Sequence, residues 1–357
     1  MPPAAARKAI SRRCRPSSSR RSLGQLTIDE GRLTDLMNLP SIAQSSFVNR
    51  QFHRKDLLVD GVLVVDKPQG LTSHDVVAVA RRCLKESRIG HTGTLDPLAT
   101  GVLPLACGRA TRLVRFLSAS EKCYEATIRF GVTTDSYDIT GNEVSRTDRV
   151  PTREAVERAI DSLRGDHLQM PPAFSAKKVG GQRAYAMARR AEPVALQPVP
   201  VRLITTDLLE FTGPMLRVAL SCSSGFYVRS FAHAIGEQVG TGACLETLRR
   251  TGSGPFDLSN AVTLDDLQRN PADAAARAVP LDQLLLDLPG ARLTDEGRSR
   301  VSHGQDVGRA HLWPEDSGCL EPRAAEWVRL LDSGGRLLAL GTPARSPDAL
   351  HPTVVLF

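Results

Sequence analysis

Apolar and polar positions along this chain follow two periods, and the switches between them mark out its elements. Gly61 to Val65 is a continuous, β-branched apolar run, which predicts a buried strand. Asp66 to Gly70 is a turn. Thr72 or Ser73 caps a predicted helix running to about Lys85, with Val76, Val77 and Ala80 as its apolar stripe. Val102 to Ala106 is the next strand, and Ala110 to Leu117 a short helix. Tyr124, Ala126, Ile128 and Phe130 alternate with polar neighbours, the period of a half-buried strand. A turn at Asp138 to Gly141 precedes a helix that follows Pro151, reaches Leu163 and is stopped by Gly165. Val201 to Phe211 and Leu216 to Ser221 read as paired strands, and Tyr227 to Val239 as a helix ended by Gly240. Short strands are expected at Trp327 to Leu331, Leu337 to Leu340 and Thr353 to Phe357.

Strands and helices mix here without a regular βαβ rhythm. The pattern predicts an α+β fold with a mixed, largely antiparallel sheet flanked by helices. Three segments are expected. Residues 1–58 form a basic N-terminal extension whose first 22 residues hold Arg, Ser and Ala but no acid, the composition of disorder. An over-long start or a dispensable tail is preferred for it over a transit peptide or an RNA-touching tail. Residues 59–290 form the main domain. Within it, 167–200 lacks a clean period and carries five prolines, so it reads as an inserted, partly mobile excursion. Residues 291–357 form a small β-rich domain.

The charge is +7, but residues 1–58 hold 11 basic and 4 acidic side chains, which accounts for all of it. The remaining residues carry 35 of each sign, so net charge gives no reason to invoke nucleic acid. Local clusters do: Arg81-Arg82 with Lys85 and Arg88, Arg109 with Arg112 and Arg115, Lys177-Lys178 with Arg183, Arg189-Arg190, and Arg249-Arg250. The plainer reading of each is a solvated helix face. No apolar run approaches the roughly 18 residues of a membrane span. The seven cysteines lack Cys-x-x-Cys spacing, so free thiols are expected, with neither a disulfide framework nor a zinc site. Nucleotide-triphosphate, dinucleotide and serine-hydrolase motifs are missing.

One stretch carries chemistry. Gly90-His-Thr-Gly-Thr-Leu-Asp-Pro-Leu-Ala-Thr-Gly101 holds a lone carboxylate, Asp96, in a turn, and an apolar strand follows at once. Turn residues fix such a backbone and the strand anchors it, which suits a nucleophilic carboxylate on a rigid loop at a sheet edge. An arbitrary Asp-Pro is more often just a turn.

Together with Gly61-Val-Leu-Val-Val-Asp-Lys-Pro-Gln-Gly-Leu-Thr-Ser73, this stretch closely resembles the TruB-type pseudouridine synthases. Lys122-Cys-Tyr-Glu-Ala-Thr-Ile-Arg-Phe-Gly131, Thr134-Asp-Ser-Tyr-Asp138, Cys222-Ser-Ser-Gly-Phe-Tyr-Val-Arg229 and Leu248-Arg-Arg250 extend the likeness. It runs from about 59 to 265 and weakens beyond. Residues 291–357, with 8 basic and 9 acidic side chains, resemble only poorly the PUA-type module of many relatives.

The resemblance implies a pseudouridine-synthase-like fold and a PUA-like C-terminal domain. It implies isomerisation of uridine 55 in the T loop of tRNA, with the base flipped out of its stack. Asp96 takes the nucleophile's position and Arg229 that of its partner cation. Tyr124 takes the place of a tyrosine that stacks on the base and can accept a proton. Tyr227 and Leu248 take substrate-contacting positions, and His91 that of a histidine filling the space the base leaves. Lys67 takes a supporting or phosphate-facing place, and Asp138 one serving recognition of the RNA loop. Plainer readings are a core tyrosine at 124, helix-start packing at 227, a core leucine at 248, a solvated histidine at 91 and a turn aspartate at 138. An isomerisation needs no cofactor and no metal. The implied partner is the T-arm of tRNA, with no membrane, no obligatory protein partner, a monomeric chain and a cytoplasmic location. The 167–200 excursion resembles a thumb that pinches the RNA loop, as in bacterial stand-alone members. Attack at uracil C6, attack at ribose C1′ and a glycal route all stay open. An RNA-folding helper without chemistry, and a glycosidase with a carboxylate nucleophile, are the competing functions.

Overall fold

The computed structural model of the chain describes residues 59–175, 178–179, 182–183, 196–320 and 325–357. The expected extension at 1–58 lies outside the described residues, as do 176–177, 180–181 and 184–195 of the expected thumb.

In chain order the first elements are β1 (Gly61–Lys67), α1 (Ser73–Leu84), β2 (Ile89–His91), β3 (Thr100–Cys107), α2 (Val114–Ser118) and β4 (Lys122–Phe130). A small hairpin, β5 (Val132–Thr134) and β6 (Glu143–Arg146), precedes α3 (Arg153–Ser162) and β7 (Gly165–Gln169). Two-residue strands β8 (Lys178–Val179) and β9 (Gln182–Arg183) pair with each other. Then come β10 (Val199–Thr212), β11 (Met215–Cys222), α4 (Val228–Val239) and β12 (Ala243–Ser253). The short elements β13 (Phe256–Asp257), β14 (Val262–Thr263), α5 (Leu264–Arg269), α6 (Pro271–Ala276) and β15 (Val279–Pro280) close the main body. The rest holds β16 (Gly290–Arg292), α7 (Asp295–Ser302), β17 (Val307–Gly308), β18 (Val328–Leu331), β19 (Leu337–Pro343) and β20 (Ala349–Val355).

The large sheet runs β14-β1-β3-β12-β4-β11-β10-β7. Most pairs are antiparallel, and β1/β14 and β3/β12 are parallel. The expected α+β class therefore holds. The expected helices and strands fall within a few residues of their places, but β12, in the middle of the sheet, has no counterpart in the sequence reading. Two register shifts, at Leu245/Thr247 and Arg250/Gly252, break its alternation, and Arg249-Arg250 reads as solvent-facing charge. The start of the expected excursion is also corrected. Gly165–Gln169 is ordinary strand, paired along its length with β10.

The apolar run of β1 is continuous because both its faces are covered. Leu63 and Val65 belong to one core with Val76 and Ala80 of α1 and Phe231 of α4. Val62 and Val64 face the opposite way, toward Leu337, Leu340 and Leu356. The C-terminal strands form a second sheet, β16-β18-β19-β20-β17, so the two sheets share a core beneath β1. Arginines complete that junction. Arg109 donates to the Leu356 carbonyl at 2.9 Å and Arg112 to that of Val355. Arg115 lies 4.7 Å over the Trp327 ring. The guanidiniums of Arg109, Arg112 and Arg115 thus hold the second sheet, a use that the sequence does not announce. The expectation of free thiols is corrected at Cys123, which is disulfide-bonded, while Cys83, Cys107, Cys222, Cys244 and Cys319 are free.

Leu340 is wholly buried at this junction. Leu340→Ala should lower stability by about 2–5 kcal/mol in chemical denaturation, as buried leucine truncations do. A loss below about 1 kcal/mol would contradict a shared, closely packed core.

Candidate active site

The carboxylate loop is built from both ends and held in the middle. Thr72 caps α1 and shares a capping box with Asp75, with bonds of 3.1 and 2.8 Å. That leaves Ser73 free to turn inward. Its Oγ accepts from the Leu95 amide at 2.8 Å and donates to the Leu95 carbonyl at 3.1 Å. Gly70 N–H donates to the Pro97 carbonyl at 2.8 Å. From the far side, Arg250 donates to the carbonyls of Val102 at 2.7 Å, Gly93 at 3.0 Å and Thr94 at 3.4 Å. Arg250 is only 1% exposed, so its reading as a phosphate contact is corrected; it clamps the loop from inside the sheet. The glycine at 101 follows from the same approach: at φ 101°, an added Cβ would sit 2.1 Å from the Arg250 carbonyl oxygen. The expected sheet-edge setting is corrected too. Asp96 precedes β3, which is flanked by β1 and β12.

Beside this loop lies a cavity of about 390 Å³. Asp96, His91, Tyr124, Tyr227, Arg229 and Leu248 all line it. These six come from β2, the loop, β4, the start of α4 and β12, and nothing in their sequence separation announces the meeting.

Arg229 is 5% exposed and every side of its guanidinium is engaged. Its Nε lies 2.9 Å from Asp96 Oδ2 and its Nη1 3.5 Å from Asp138 Oδ2. Nη1 also donates to the Ser136 carbonyl at 3.0 Å, and Nη2 to that of Phe174 at 2.8 Å. Burial pushes the Asp96 carboxyl above its ordinary range, the Arg229 guanidinium pulls it back, and Asp138 adds to the rise. The side chain keeps 39% of its surface open to the cavity, so water moderates that rise.

The other residues differ in what they can offer. Burial raises the Tyr124 phenol despite Arg250 beside it, so the resting side chain is a neutral phenol rather than a ready base. Burial raises the Tyr227 phenol as well. Burial lowers His91, aided by His74 and Arg250, and its Nδ1 is buried without a partner. Leu248 is nearly buried in β12, with an edge on the cavity.

The phosphate-facing alternative for Lys67 and the RNA-recognition place of Asp138 are corrected. Lys67 is fully buried, and its Nζ donates to the Pro68 and Leu71 carbonyls at 2.9 and 2.7 Å, so no phosphate reaches it. Burial lowers its ammonium to about 8. Asp138 is 5% exposed. Its Oδ1 accepts from Ser136 Oγ, Thr140 N and Thr140 Oγ1, so it makes a turn and backs Arg229 instead of meeting RNA. Lys122, which the sequence reading passed over, lines the cavity; its Nζ donates to the Ser118 and Ser120 carbonyls, and burial lowers it to about 8. Among the described residues no group of three His, Cys, Asp or Glu side chains could hold a metal ion.

Comparison with known proteins decides the family. The model of the TruB family pseudouridylate synthase N-terminal domain matches residues 81–228, and that of the tRNA pseudouridylate synthase B C-terminal domain matches 229–291. The tRNA pseudouridine synthase B of Solibacter usitatus is 42% identical over 301 residues, covering 84% of this chain and all of that protein. The chain belongs to the TruB family of pseudouridylate synthases. The enzyme of the same name from Stutzerimonas stutzeri is 39% identical over 79% of this chain and 91% of its own length. Solved structures share the TruB-family fold at lower identity. A chain of a Cbf5-Nop10-Gar1 complex superposes with a TM-score of 0.64 at 24% identity, over 86% of this chain and 88% of that one.

The sign of the Asp96 shift yields a test. A carboxyl raised by folding is protonated as pH falls through that raised value, so Asp96 should titrate above a free aspartate in a carbon-detected NMR titration. Arg229→Gln removes the opposing cation and should move the midpoint higher still. An unmoved midpoint would show that Arg229 does not govern the charge on Asp96.

Proposed function

We propose that this chain is a tRNA pseudouridine synthase that isomerises uridine 55 of the T loop, with Asp96 as the nucleophile. The observation that carries the reading is the Asp96–Arg229 ion pair at 2.9 Å, set in a cavity also lined by Tyr124, Tyr227 and Leu248. The family membership supports its coarser part, since the relatives are named tRNA pseudouridine synthase B.

The reaction breaks the bond from ribose C1′ to uracil N1, turns the base and rejoins it through C5. Atoms and electrons are conserved. A carboxylate must be ionised to act on uracil C6 or ribose C1′, or to promote elimination. Arg229 supplies that ionisation in a site whose burial opposes it. Tyr124, as a neutral phenol, offers a ring face to the everted uracil and a hydroxyl donor, and Leu248 an apolar contact. His91, neutral beside the loop, is suited to the space a departing base leaves. In this reading the T-arm of tRNA is the partner, the chain acts alone as a monomer in the cytoplasm, and residues 291–357 serve as a PUA-like module.

The glycosidase alternative needs a second carboxyl group as acid. Asp138 shares Arg229 with Asp96, but it is buried, is not among the side chains lining the cavity, and has its Oδ1 held by Ser136 and Thr140. An RNA-folding role without chemistry is separable by mutation.

In carbodiimide labelling followed by primer extension, wild-type chain should place one new stop at position 55 of a tRNA transcript. Asp96→Asn should reduce that signal by more than about 1,000-fold while tRNA affinity stays within about threefold. A mark elsewhere in the transcript, or an active variant, would contradict the proposal.

A further inference from the structure

Gln169 ends the edge strand β7 and is 6% exposed. Its side-chain amide meets the backbone of a single residue twice. Its Oε1 accepts from the Tyr227 N–H at 2.8 Å, and its Nε2 donates to the Tyr227 carbonyl at 3.1 Å. Tyr227 is the residue before α4, extended at φ −107° and ψ 109°, and no side chain caps the helix there. The amide therefore acts as a bridge of one extra strand residue and fixes the peptide groups on both sides of the Tyr227 Cα.

Two further bonds join the same segments. Ser230 Oγ donates to the Met170 carbonyl at 2.7 Å, and Arg229 Nη2 to that of Phe174 at 2.8 Å. Residues 169–174 are thus stitched to the first turn of α4 at three places. Of these, only Gln169 uses a side chain on the β7 side, and only it acts on Tyr227.

We propose that Gln169 is a positioning residue for the isomerisation, acting through the backbone of Tyr227 on the aim of its phenol into the cavity; this rests on the reading of the site as a uridine-modifying centre. The chemistry of the position is restrictive. A primary amide presents one acceptor and one donor side by side. Asparagine is a methylene too short. A glutamate offers the same pair only when protonated. Methionine, of similar volume, offers neither and leaves a buried N–H unpaired. Because the contact controls geometry rather than adding one to the substrate, its loss should appear in the rate of the chemical step and not in tRNA affinity.

Single-turnover rates and tRNA affinity of the full chain test this on a T-arm transcript. Gln169→Met should slow turnover by about 10- to 100-fold with affinity within about threefold, as displaced catalytic geometry does. Placed on Tyr227→Ala, it should add almost nothing, since its target is gone. Gln169→Glu should approach wild-type rate as pH falls, because the neutral acid restores the donor and acceptor. Losses that add fully in the double variant, or a Gln169→Met rate equal to wild type, would overturn the inference. Should Gln169→Met fail to fold, the Gln169→Glu series decides, and a pH-independent ratio to wild type overturns it. A wild-type chain that leaves uridine unmodified would instead sink the reading of the site itself.

Discussion

A single guanidinium organises this molecule's centre. Arg229 leaves water almost entirely, and that is tolerable only because two carboxylates and two backbone carbonyls surround it. Those four partners come from the Asp96 loop, the turn at 136–138 and the segment after β7, so pairing one charge draws three distant stretches together. The carboxylate at the cavity then sits under opposed influences. Burial and Asp138 favour its neutral form, and Arg229 the anion. An anion held that way, paired on one side and open to the cavity on the other, is available for attack, which is what a nucleophilic carboxylate requires.

The rest of the structure serves to keep that pair in register. Among the described residues Arg250 is the largest fully buried side chain, and it donates to the backbone of the Asp96 loop and of β3 after it. Ser73 and Gly70 hold the same loop from the α1 side. Gln169 and Met170 hold α4, and α4 holds Arg229. Both faces of β1 are buried, so the strand that anchors the site also carries the second sheet.

How much of this was legible in the chain depends on whether a signal is local. The Asp96 loop is contiguous, glycine-marked and followed by its own strand, so both its place and its chemistry could be read. The periods of β1, α1, β4 and α4 were equally local. β12 was not, because two bulges and a pair of arginines interrupt its alternation. Charge misled in a consistent direction. Lys67 and Arg250 look solvent-facing in sequence, yet both are buried and donate to backbone carbonyls, Arg250 to ones that only the folded chain brings near. Asp138 misled likewise, as a turn residue whose second oxygen backs Arg229. Gln169 carried no signal, since a glutamine ending an edge strand is ordinary until Tyr227 is seen beside it.

The central claim is that Arg229 keeps Asp96 ionised for attack on the everted uridine. The pH dependence of the single-turnover rate tests it directly, in wild type and in Arg229→Lys. The wild-type rate should fall on the acid side through one ionisation above that of free aspartate, and Arg229→Lys, whose point charge cannot copy the guanidinium's contacts, should move that limb to higher pH. Superimposable acid limbs in the two proteins would contradict the account.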